Sequence, residues 1–515
     1  MSDREQIEEI RENWSVDDAA WTDIRAEGDT DIQCLTGKLW EAMDPAGLAQ
    51  RKAANRPYIA SDELNQYCNQ VINDLRSNKR GVKVTPRGNG SNDKTAAYRQ
   101  GRIRDIEYRS NSHQAYTTMA ENMVQRGYGF ARIVAKAVSD DLGERPTASA
   151  FDQELLIEPV VNVNTCTPDA YSVRSDGKDL RRFWVRESRT VAEFTREFPE
   201  ATIRNFSEHI TTAPQWVKGN TIDIAEYWER CHVKDRTLLA LKSLTPNAPP
   251  EAVWRDQVDE VPSERVLKSR KVPIYRVWKR LTNGLEVLEE TAWPTQSLPF
   301  ICAYGKVVYV TEGGQSVRKL LSLVRLARDP QMLMAYLMTC QAELVGMTPK
   351  FPYFFAEDSL TAEALDLLSR SLFEPVAGIP VKTTGDLGQQ NPFPQRQPYD
   401  PPIQALEFMK ESIRRSIQAA IGSSPLPTQA QRRNEKSGVA LKQIEDVAQK
   451  GSFHFVDHYD EGIARCGTLL NALLPHFDDT AREVSVRQPD DQVAMVRIND
   501  PTRHAQMQAN QDAGF

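Results

Sequence analysis

The sequence is poor in cysteine and has no long apolar run. Its seven cysteines are scattered through 515 residues, and none of them stands in a CxxC pair. Disulfide frameworks and zinc clusters need cysteines at close, regular spacing, so the pattern favours folding in a reducing, intracellular compartment. No stretch approaches the roughly 20 consecutive apolar residues of a membrane-spanning helix. The polar, acidic start of the chain is also unlike a secretory signal. We therefore expect no membrane association.

The sequence also lacks the short motifs of common enzyme classes. There is no GxxxxGK[ST], no GxSxG and no HExxH, and no cysteine stands in a recognisable nucleophile motif. His454 and His458 are four residues apart and could place two nitrogens on one metal ion, but no third ligand is identifiable. The alternative is a surface pair on a helix. We predict no catalytic site, no metal site and no cofactor.

Composition suits a folded, soluble chain of three or four domains, or one large elaborated domain. Hydrophobic residues make up 40% and charged residues 26%, and the formal net charge is −7. The mean hydropathy is −0.53. A protein that binds DNA tightly and by sequence usually carries a basic excess, so any contact with DNA is predicted to be weak or local.

The first 60 residues are polar and prone to form helix. Trp14, Trp21 and Trp40 are judged too far apart for one helical stripe, and we interpret this region as an arm that packs on something else, such as a neighbouring subunit. Helices are predicted at residues 62–77, 95–108 and 112–125. The glycines of Gly127-Tyr128-Gly129 follow a helix and precede a strand, which favours a helix cap over a phosphate-binding loop.

Residues 154–229 alternate between strand and turn signals, and further strand signals follow up to residue 290. Strands are predicted at residues 82–85, 130–135, 160–163, 182–186, 221–229, 272–280 and 285–290, and a turn at residues 166–169. Thr190 and Glu193 have the spacing of a capping box, which opens a short helix. These patterns predict an α+β region with one sheet.

The last 200 residues change to long helical patterns. Residues 316–345 form an apolar helical segment that contains Asp329-Pro330, and a short amphipathic helix is predicted at residues 361–372. Seven prolines lie between residues 375 and 402, a composition typical of an extended segment. The clearest helix spans residues 403–421, with one apolar stripe: Leu406, Met409, Ile413, Ile417 and Ile421. A polar loop, a long helix at residues 437–476 and a hairpin at residues 483–487 and 492–498 complete the pattern.

The order of these segments resembles the portal proteins of tailed double-stranded DNA bacteriophages, most closely those of podoviruses. Local similarity lies in LNQYCNQVINDLRSNKRGVKVTPRG (residues 64–88), RGYGFARIV (126–134), TIDIAEYWER (221–230) and SGVALKQIEDVAQKGSFHFVDHYDEGIARC (437–466). The resemblance covers about residues 55–498 and depends on the order of the segments.

The resemblance implies a mainly helical α+β subunit of a ring, commonly a dodecamer, with wing, two-helix stem, clip, tunnel loop and crown. The N-terminal arm and wing would take residues 1–315, the first stem helix 316–345, the clip 346–402 and the second stem helix 403–421. The tunnel loop would be 422–436, the helix returning to wing and crown 437–476, and the terminal hairpin and tail 477–515. The chain departs from similar podovirus portals because it ends soon after the hairpin, so the long C-terminal helical barrel is expected to be absent or shortened.

The resemblance also implies the function. Such a ring occupies one capsid vertex of the virion, is assembled in the host bacterial cytoplasm, and lets double-stranded DNA pass during packaging and ejection while holding it loosely. Its expected partners are other copies of the chain, the terminase large subunit, tail adaptor proteins, and the major capsid and scaffold proteins. The alternatives are another phage structural protein, such as an adaptor or scaffold, and an enzyme with an unrecognised site.

Two sets of candidate site residues follow. The tunnel loop would bring five polar side chains to DNA: Gln429, Gln431, Arg432, Arg433 and Lys436. On the adjoining stem helix, Lys410, Arg414 and Arg415 are further candidates, although the two arginines could instead pair with Glu411. In the clip, four aromatics are candidates for docking partners: Phe351, Tyr353, Phe354 and Phe355. The alternative for these four is a folded strand that buries their rings.

Overall fold

The structure divides into two compact units that are discontinuous in sequence. Unit 1 comprises Met1–Asp29, Asn69–Leu323 and Phe453–Phe515, and unit 2 comprises Thr30–Cys68 and Val324–Ser452. The computed structural model describes residues 3–78, 80–87, 92–137, 153–203, 216–242, 251–258, 265–347, 353–356, 359–371, 376–384, 388, 390–396, 402–422, 453–479, 482–488 and 490–499. These residues form both helices and strands, as the α+β prediction requires.

The helices are α1 (Asp3–Leu35), α2 (Leu39–Met43), α3 (Pro45–Ala53), α4 (Leu64–Ser77), α5 (Asp93–Arg109), α6 (Ser112–Arg126), α7 (Val191–Glu197), α8 (Leu323–Met347), α9 (Ala362–Arg370), α10 (Ile403–Ile421) and α11 (Phe453–Phe477). The strands are β1 (Tyr128–Ala137), β2 (Gln153–Pro159), β3 (Cys166–Pro168), β4 (Arg182–Thr190), β5 (Val217–Lys218), β6 (Thr221–Leu241), β7 (Glu251–Trp254), β8 (Val266–Thr282), β9 (Val287–Trp293), β10 (Phe300–Tyr304), β11 (Lys306–Glu312), β12 (Gln315–Leu321), β13 (Tyr353–Phe354), β14 (Gln395–Arg396), β15 (Arg482–Arg487) and β16 (Val493–Ile498).

Helix α1 buries one face along its length. The buried positions alternate three and four residues apart: Ile7, Ile10, Trp14, Asp17, Trp21 and Ile24. Trp14 and Trp21 are seven residues apart, which is about two helical turns, so they share this face. The prediction that their spacing was too wide is wrong, and the prediction of an arm packed on a neighbour is wrong for them too. The Trp14 ring lies 5.1 Å from the Trp184 ring of the same unit. Trp40 belongs to a different helix, α2.

Helices α4, α5 and α6 confirm three sequence predictions to within two residues at each end. Asp62 Oδ1 accepts hydrogen bonds from the backbone N–H groups of Leu64 and Asn65, so it caps α4 instead of lying inside it. Gly127 ends α6 with φ of +92°, the left-handed conformation that favours glycine, which confirms the helix cap. Residues 82–85 form no strand, contrary to the prediction.

The larger sheet of unit 1 has the strand order β3-β4-β6-β8-β9, and all its pairs are antiparallel. Strands β5 and β7 also pair with β6. Thr190 and Glu193 make both hydrogen bonds of the predicted capping box at the start of α7. Residues 160–163 were predicted as a strand and residues 166–169 as a turn. Both predictions are wrong, because β2 ends at residue 159 and residues 166–168 pair with β4.

A smaller sheet, β10-β1-β2, completes the core of unit 1. Aromatic side chains from both sheets and from α1 meet there, with the rings of Phe183 and Phe300 stacked at 3.8 Å. The same cluster includes Trp21, Phe130 and Trp228. This core is built from residues far apart in sequence, so it fixes α1 on the sheets.

The predicted helix at residues 316–345 begins seven residues too early. Residues 316–321 belong to β12, which pairs with β11 in a hairpin. Gly313 and Gly314 both have positive φ at its tip, as a tight hairpin turn requires. The helix itself, α8, is continuous through Pro330, so the proline does not divide it.

The remaining C-terminal predictions are confirmed where the structure describes the residues. Helix α10 has the predicted bounds, and β15 and β16 confirm the terminal hairpin. Helix α9 begins after Thr361, whose Oγ1 accepts a hydrogen bond from the backbone N–H of Ala364. Helix α11 confirms residues 453–476 of the predicted long helix, and residues 437–452 lie outside the described residues.

Unit 2 joins its segments partly through ion pairs. Glu343 on α8 lies 2.7 Å from Arg51 and 2.8 Å from Arg56. Burial would raise the pKa of Glu343, but the hydrogen bond from Arg56 and the charge of Arg51 bring it below its ordinary value. Asp31 is fully buried and binds Arg325 at 2.8 Å. None of the described helices is both long and apolar enough to cross a bilayer.

Candidate functional site

Helix α10 presents two different faces. Ile413, Ile417 and Ile421 are buried within unit 2, as the predicted stripe requires. Met409, which belongs to the same predicted stripe, is 46% exposed, and its neighbour Phe408 is 77% exposed. The first half of the helix therefore offers apolar surface that its own subunit leaves uncovered.

Lys410 is held by neighbouring side chains instead of reaching into solvent. Its Nζ donates hydrogen bonds to Gln341 Oε1 on α8 at 2.7 Å and to Glu407 Oε1 at 2.6 Å. The hydrogen bonds from Lys410 and Gln341 lower the pKa of Glu407. These contacts link α10 to α8 within the subunit. Lys410 therefore has a structural role there.

Arg414 and Arg415 behave differently from each other. Arg414 makes a two-pronged contact with Glu63, at 2.9 and 3.1 Å, while its distance to Glu411 is 4.0 Å. Arg415 is well exposed, and its Nε lies 3.7 Å from Glu411. The proposed pairing with Glu411 is therefore weak for both arginines. Of the three candidate cations on α10, Arg415 extends furthest into solvent.

Helix α8 also carries exposed apolar side chains, which were not predicted from the sequence. Leu333, Tyr336 and Val345 are each about half exposed. The Tyr336 ring is partly supported, because the Arg51 guanidinium lies 5.5 Å from its centroid. Helical periodicity alone could not separate these positions from buried ones, since α8 is apolar on most of its surface.

Two of the candidate docking aromatics, Tyr353 and Phe354, form one strand of a short two-stranded segment of unit 2. Strand β13 pairs with β14, which aligns Tyr353 with Arg396 and Phe354 with Gln395. The alternative of a strand that buries its rings is wrong for Phe354, which is 62% exposed; Phe355 is also exposed. Phe351 lies outside the described residues. Phe393, 68% exposed, was missed because the proline-rich sequence around it gives no periodic signal.

The other predicted DNA-facing residues lie outside the part of the chain that the structure describes. They are Gln429, Gln431, Arg432, Arg433 and Lys436. Helix α10 ends at Gly422, which has a left-handed φ of +73°. The assignment of these five side chains to a tunnel loop stays a prediction.

His454 and His458 are not a simple surface pair. Nδ1 of His458 lies 2.8 Å from the backbone oxygen of Tyr304. His454 is half-buried, and its Nε2 has no hydrogen-bond partner within the described structure. Burial, together with the charges of His458 and Lys306, lowers the pKa of His454 to about 4. No group of three or more potential metal ligands occurs among the described residues.

Exposed apolar side chains on α8, on α10 and in the β13–β14 segment are typical of a structural subunit that packs against other proteins. A family model for phage P22-like portal proteins matches residues 11–514, nearly the whole chain. The chain therefore belongs to the phage P22-like portal protein family. It is a bacteriophage structural protein of the type that connects head and tail.

Proposed function

We propose that this chain assembles into a ring, commonly a dodecamer, at one capsid vertex, and that double-stranded DNA passes through the ring during packaging and ejection. The observation that carries the proposal is the family match across residues 11–514. The net charge of −7 agrees with it. Each phosphate that a wall neutralises adds salt-dependent affinity, so an acidic conduit lets DNA slide.

Helices α8 and α10 would form the stem of this ring. Within the subunit they are linked through Gln341, which contacts both Glu407 and Lys410. Between subunits, the exposed Phe408, Met409 and Leu333 would supply apolar contact. Burying such side chains on assembly gives an association free energy that the isolated subunit cannot realise.

The test of the ring is direct imaging of the purified protein by negative-stain electron microscopy. We expect closed rings with a central hole, and native mass spectrometry should give one dominant subunit number. Monomers or open chains at micromolar concentration, under conditions where the protein is folded, would contradict the proposal.

Within the ring, the loop at residues 422–436 would face the DNA. Arg432, Arg433 and Lys436 are three cations within five residues, and flexible cations can touch phosphates briefly without reading bases. Replacing these three with alanine should leave rings intact and change the amount of DNA that is packaged or retained. The dependence of retention on salt should also weaken, since fewer phosphates are contacted.

A matched control replaces three exposed cations of unit 1 with alanine: Lys178, Arg196 and Lys218. This control removes the same charge at sites not proposed to face DNA. Equal packaging and retention in the loop variant, the control and the wild type across salt concentrations would exclude the loop from DNA contact.

Residues 346–402 would dock the terminase large subunit during packaging and tail adaptors afterwards. The exposed Phe354, Phe355 and Phe393 support this assignment, because exposed aromatics often anchor interfaces. Deleting residues 375–400 should weaken binding of both partners to preformed rings, measured by co-sedimentation. A milder variant, Phe354→Ser with Phe393→Ser, tests the aromatic contribution alone. Normal binding by both variants would place the docking surface elsewhere.

A further inference from the structure

The two longest strands of unit 1, β6 and β8, extend beyond β4 and β9, and near its far end β6 also pairs with the short strand β7 over Leu238–Leu241. Strand β4 pairs with β6 only over Thr221–Glu229, and β9 pairs with β8 only over residues 277–282. Beyond these limits β6 and β8 continue to pair with each other, from Cys231 and Arg276 to Leu241 and Val266. We call residues 231–241 and 266–276 the arm. At about 3.3 Å per residue, it is roughly 35 Å long.

The arm has the opposite charge to the rest of the chain. Residues 231–276, which include the arm and its connection, contain nine Lys and Arg against six Asp and Glu. The other residues of the chain contain 55 Lys and Arg against 65 Asp and Glu. A basic arm on an acidic subunit creates an electrostatic attraction toward other acidic surfaces, including those of identical subunits.

Among the described residues, four cations of the arm have no ion pair. Lys268, Arg270, Lys271 and Arg276 on β8 are exposed, and no acidic side chain of the described residues lies within ion-pair distance of them. By contrast, Lys234 and Arg236 on β6 share one carboxylate, Asp256. The arm cations that have no ion pair among the described residues therefore lie along one strand, β8, where the Arg276 guanidinium lies 5.6 Å from the centroid of the Trp278 ring.

The arm also exposes apolar side chains between its cations. Leu267 on β8 and Val233 on β6 are each 52% exposed. A surface that only neutralises DNA phosphates needs cations but gains little from exposed aliphatic groups. Protein interfaces combine apolar contact with charged groups around it. The composition of the arm thus favours a protein partner over a nucleic acid.

An acidic surface of matching character lies on the same unit. The solvent-facing side of α1 exposes four glutamates in its first three turns: Glu5, Glu8, Glu9 and Glu12. We call these four the acidic stripe. The exposed Val16 follows them on the same side. Of the two arginines in this part of α1, Arg4 pairs with Glu8, and Arg11 donates to the backbone oxygen of Gly284.

We propose that the arm of one subunit docks on the acidic stripe of the next subunit. The inference rests on the proposed ring. A closed ring uses heterologous contacts, in which one surface of a subunit meets a different surface of its neighbour. The arm and the stripe are such a pair, because they carry opposite charge and both include exposed aliphatic side chains.

Protection of an exposed strand edge is another reason for cations on β8. Over residues 266–276 no strand among the described residues covers its outer side, and lysine or proline on an edge strand discourages pairing with other chains. Glutamate is also charged and so still discourages pairing at an edge, but it would repel the acidic stripe. Charge reversal therefore separates edge protection from docking.

The test uses three full-length variants. The arm variant is Lys268→Glu with Arg270→Glu and Lys271→Glu. The stripe variant is Glu8→Lys with Glu9→Lys and Glu12→Lys, positions beyond the first turn of α1, where the helix dipole acts most strongly. The third variant combines all six changes. Circular dichroism and thermal unfolding verify that each subunit is folded.

Ring stability is measured by sedimentation velocity over a range of protein and salt concentrations. At low salt we expect each single-surface variant to dissociate at about tenfold higher protein concentration than the wild type, as three lost exposed ion pairs predict. The combined variant should regain wild-type stability. The difference should shrink near 0.5 M salt, where exposed charges are screened beyond about 4 Å.

A control variant reverses three exposed cations away from the arm: Lys178→Glu, Arg196→Glu and Lys218→Glu. It should dissociate like the wild type. If the wild type forms no rings, the proposed function fails. If the wild type forms rings and the arm variant is equally stable, or the combined variant is not restored, the docking proposal is overturned. Intact rings with weaker binding of a DNA duplex would also overturn it, in favour of DNA contact.

Discussion

Unit 1 buries many aromatic side chains completely, in more than one hydrophobic cluster, whereas several aromatics of unit 2 lie on the surface. The largest fully buried aromatic residues all belong to unit 1: Trp21, Trp184, Tyr128, Tyr227, Tyr304, Phe130, Phe183, Phe194, Phe300 and Phe455. In unit 2, Phe354, Phe393 and Phe408 are each more than 60% exposed, as are Tyr108, Tyr171 and Phe453 in unit 1, so the two units differ in their completely buried aromatics. Stability in unit 1 therefore comes from contacts within one chain.

The difference is informative because the same sequence supplies both regions. Large aromatic side chains stabilise a protein when they are buried. Aromatic side chains that stay exposed do not contribute this free energy to folding. Ion pairs also link the segments of unit 2, such as those of Glu343 with Arg51 and Arg56. We expect the remaining apolar surface to contribute only when subunits assemble. Mutations in the two units should therefore affect different quantities.

The largest effect is expected in the core of unit 1. Trp21→Ala removes a fully buried ring that packs edge-to-face on Tyr128, with 5.4 Å between ring centroids. The loss of buried surface and the cavity left behind should lower the free energy of unfolding by about 3–5 kcal/mol. Guanidinium unfolding followed by circular dichroism measures the change.

Val16→Ala is the control on the same helix, because Val16 is 44% exposed. Its effect should stay within about 0.5 kcal/mol. A Trp21→Ala protein as stable as the Val16→Ala protein would contradict the view that α1 is anchored on the sheets of unit 1.

A smaller effect of a different kind is expected in unit 2. Phe408→Ser should leave the stability of the subunit nearly unchanged, because the side chain is 77% exposed there. If the ring covers it, each subunit contact should weaken by about 1.5–3 kcal/mol. Analytical ultracentrifugation gives the association, and thermal unfolding gives the stability.

Val161→Ser is the matched control, since Val161 is 72% exposed in unit 1. It should change neither quantity. Equal ring stability in the Phe408 variant and this control would mean that α10 does not form the subunit contact.

Local patterns in the sequence predicted some elements well. Helix α10 was predicted with its observed bounds, because Ile413, Ile417 and Ile421 repeat at helical spacing and Gly422 ends the run. The capping box was predicted from the three-residue spacing of Thr190 and Glu193. Both signals lie within a few residues, so no distant partner is needed to recognise them.

Features that depend on distant partners were missed. Residues 316–321 resemble the start of a helix, and only pairing with β11 makes them a strand. Arg414 was a candidate for DNA contact, with Glu411 as its alternative partner, yet its main partner is Glu63, which lies 351 residues away in sequence. Sequence patterns are equally limited at the candidate site. Helical spacing places both Lys410 and Arg415 on α10. Only the tertiary contacts show that Lys410 is hydrogen-bonded to α8 whereas Arg415 is exposed.

The smallest effect concerns a half-buried histidine of unit 1 and the pH dependence of stability. In the folded protein His454 stays neutral until about pH 4, because burial and the charges of His458 and Lys306 oppose its protonation. In the unfolded chain it takes up a proton near its ordinary pKa of 6.5. Between these values the unfolded state binds more protons, so stability should fall as the pH falls from 6.5 to 4.

His454→Leu should remove this contribution, which we place on the order of 1 kcal/mol because the half-buried ring is partly screened by solvent. The measurement is the free energy of unfolding at pH 7 and at pH 4.5 in both proteins. The variant should lose less stability than the wild type over this interval. His113→Gln, a change at an exposed histidine, serves as the control and should lose as much as the wild type. If His454→Leu and His113→Gln lose equal stability, His454 does not couple the folding of unit 1 to pH.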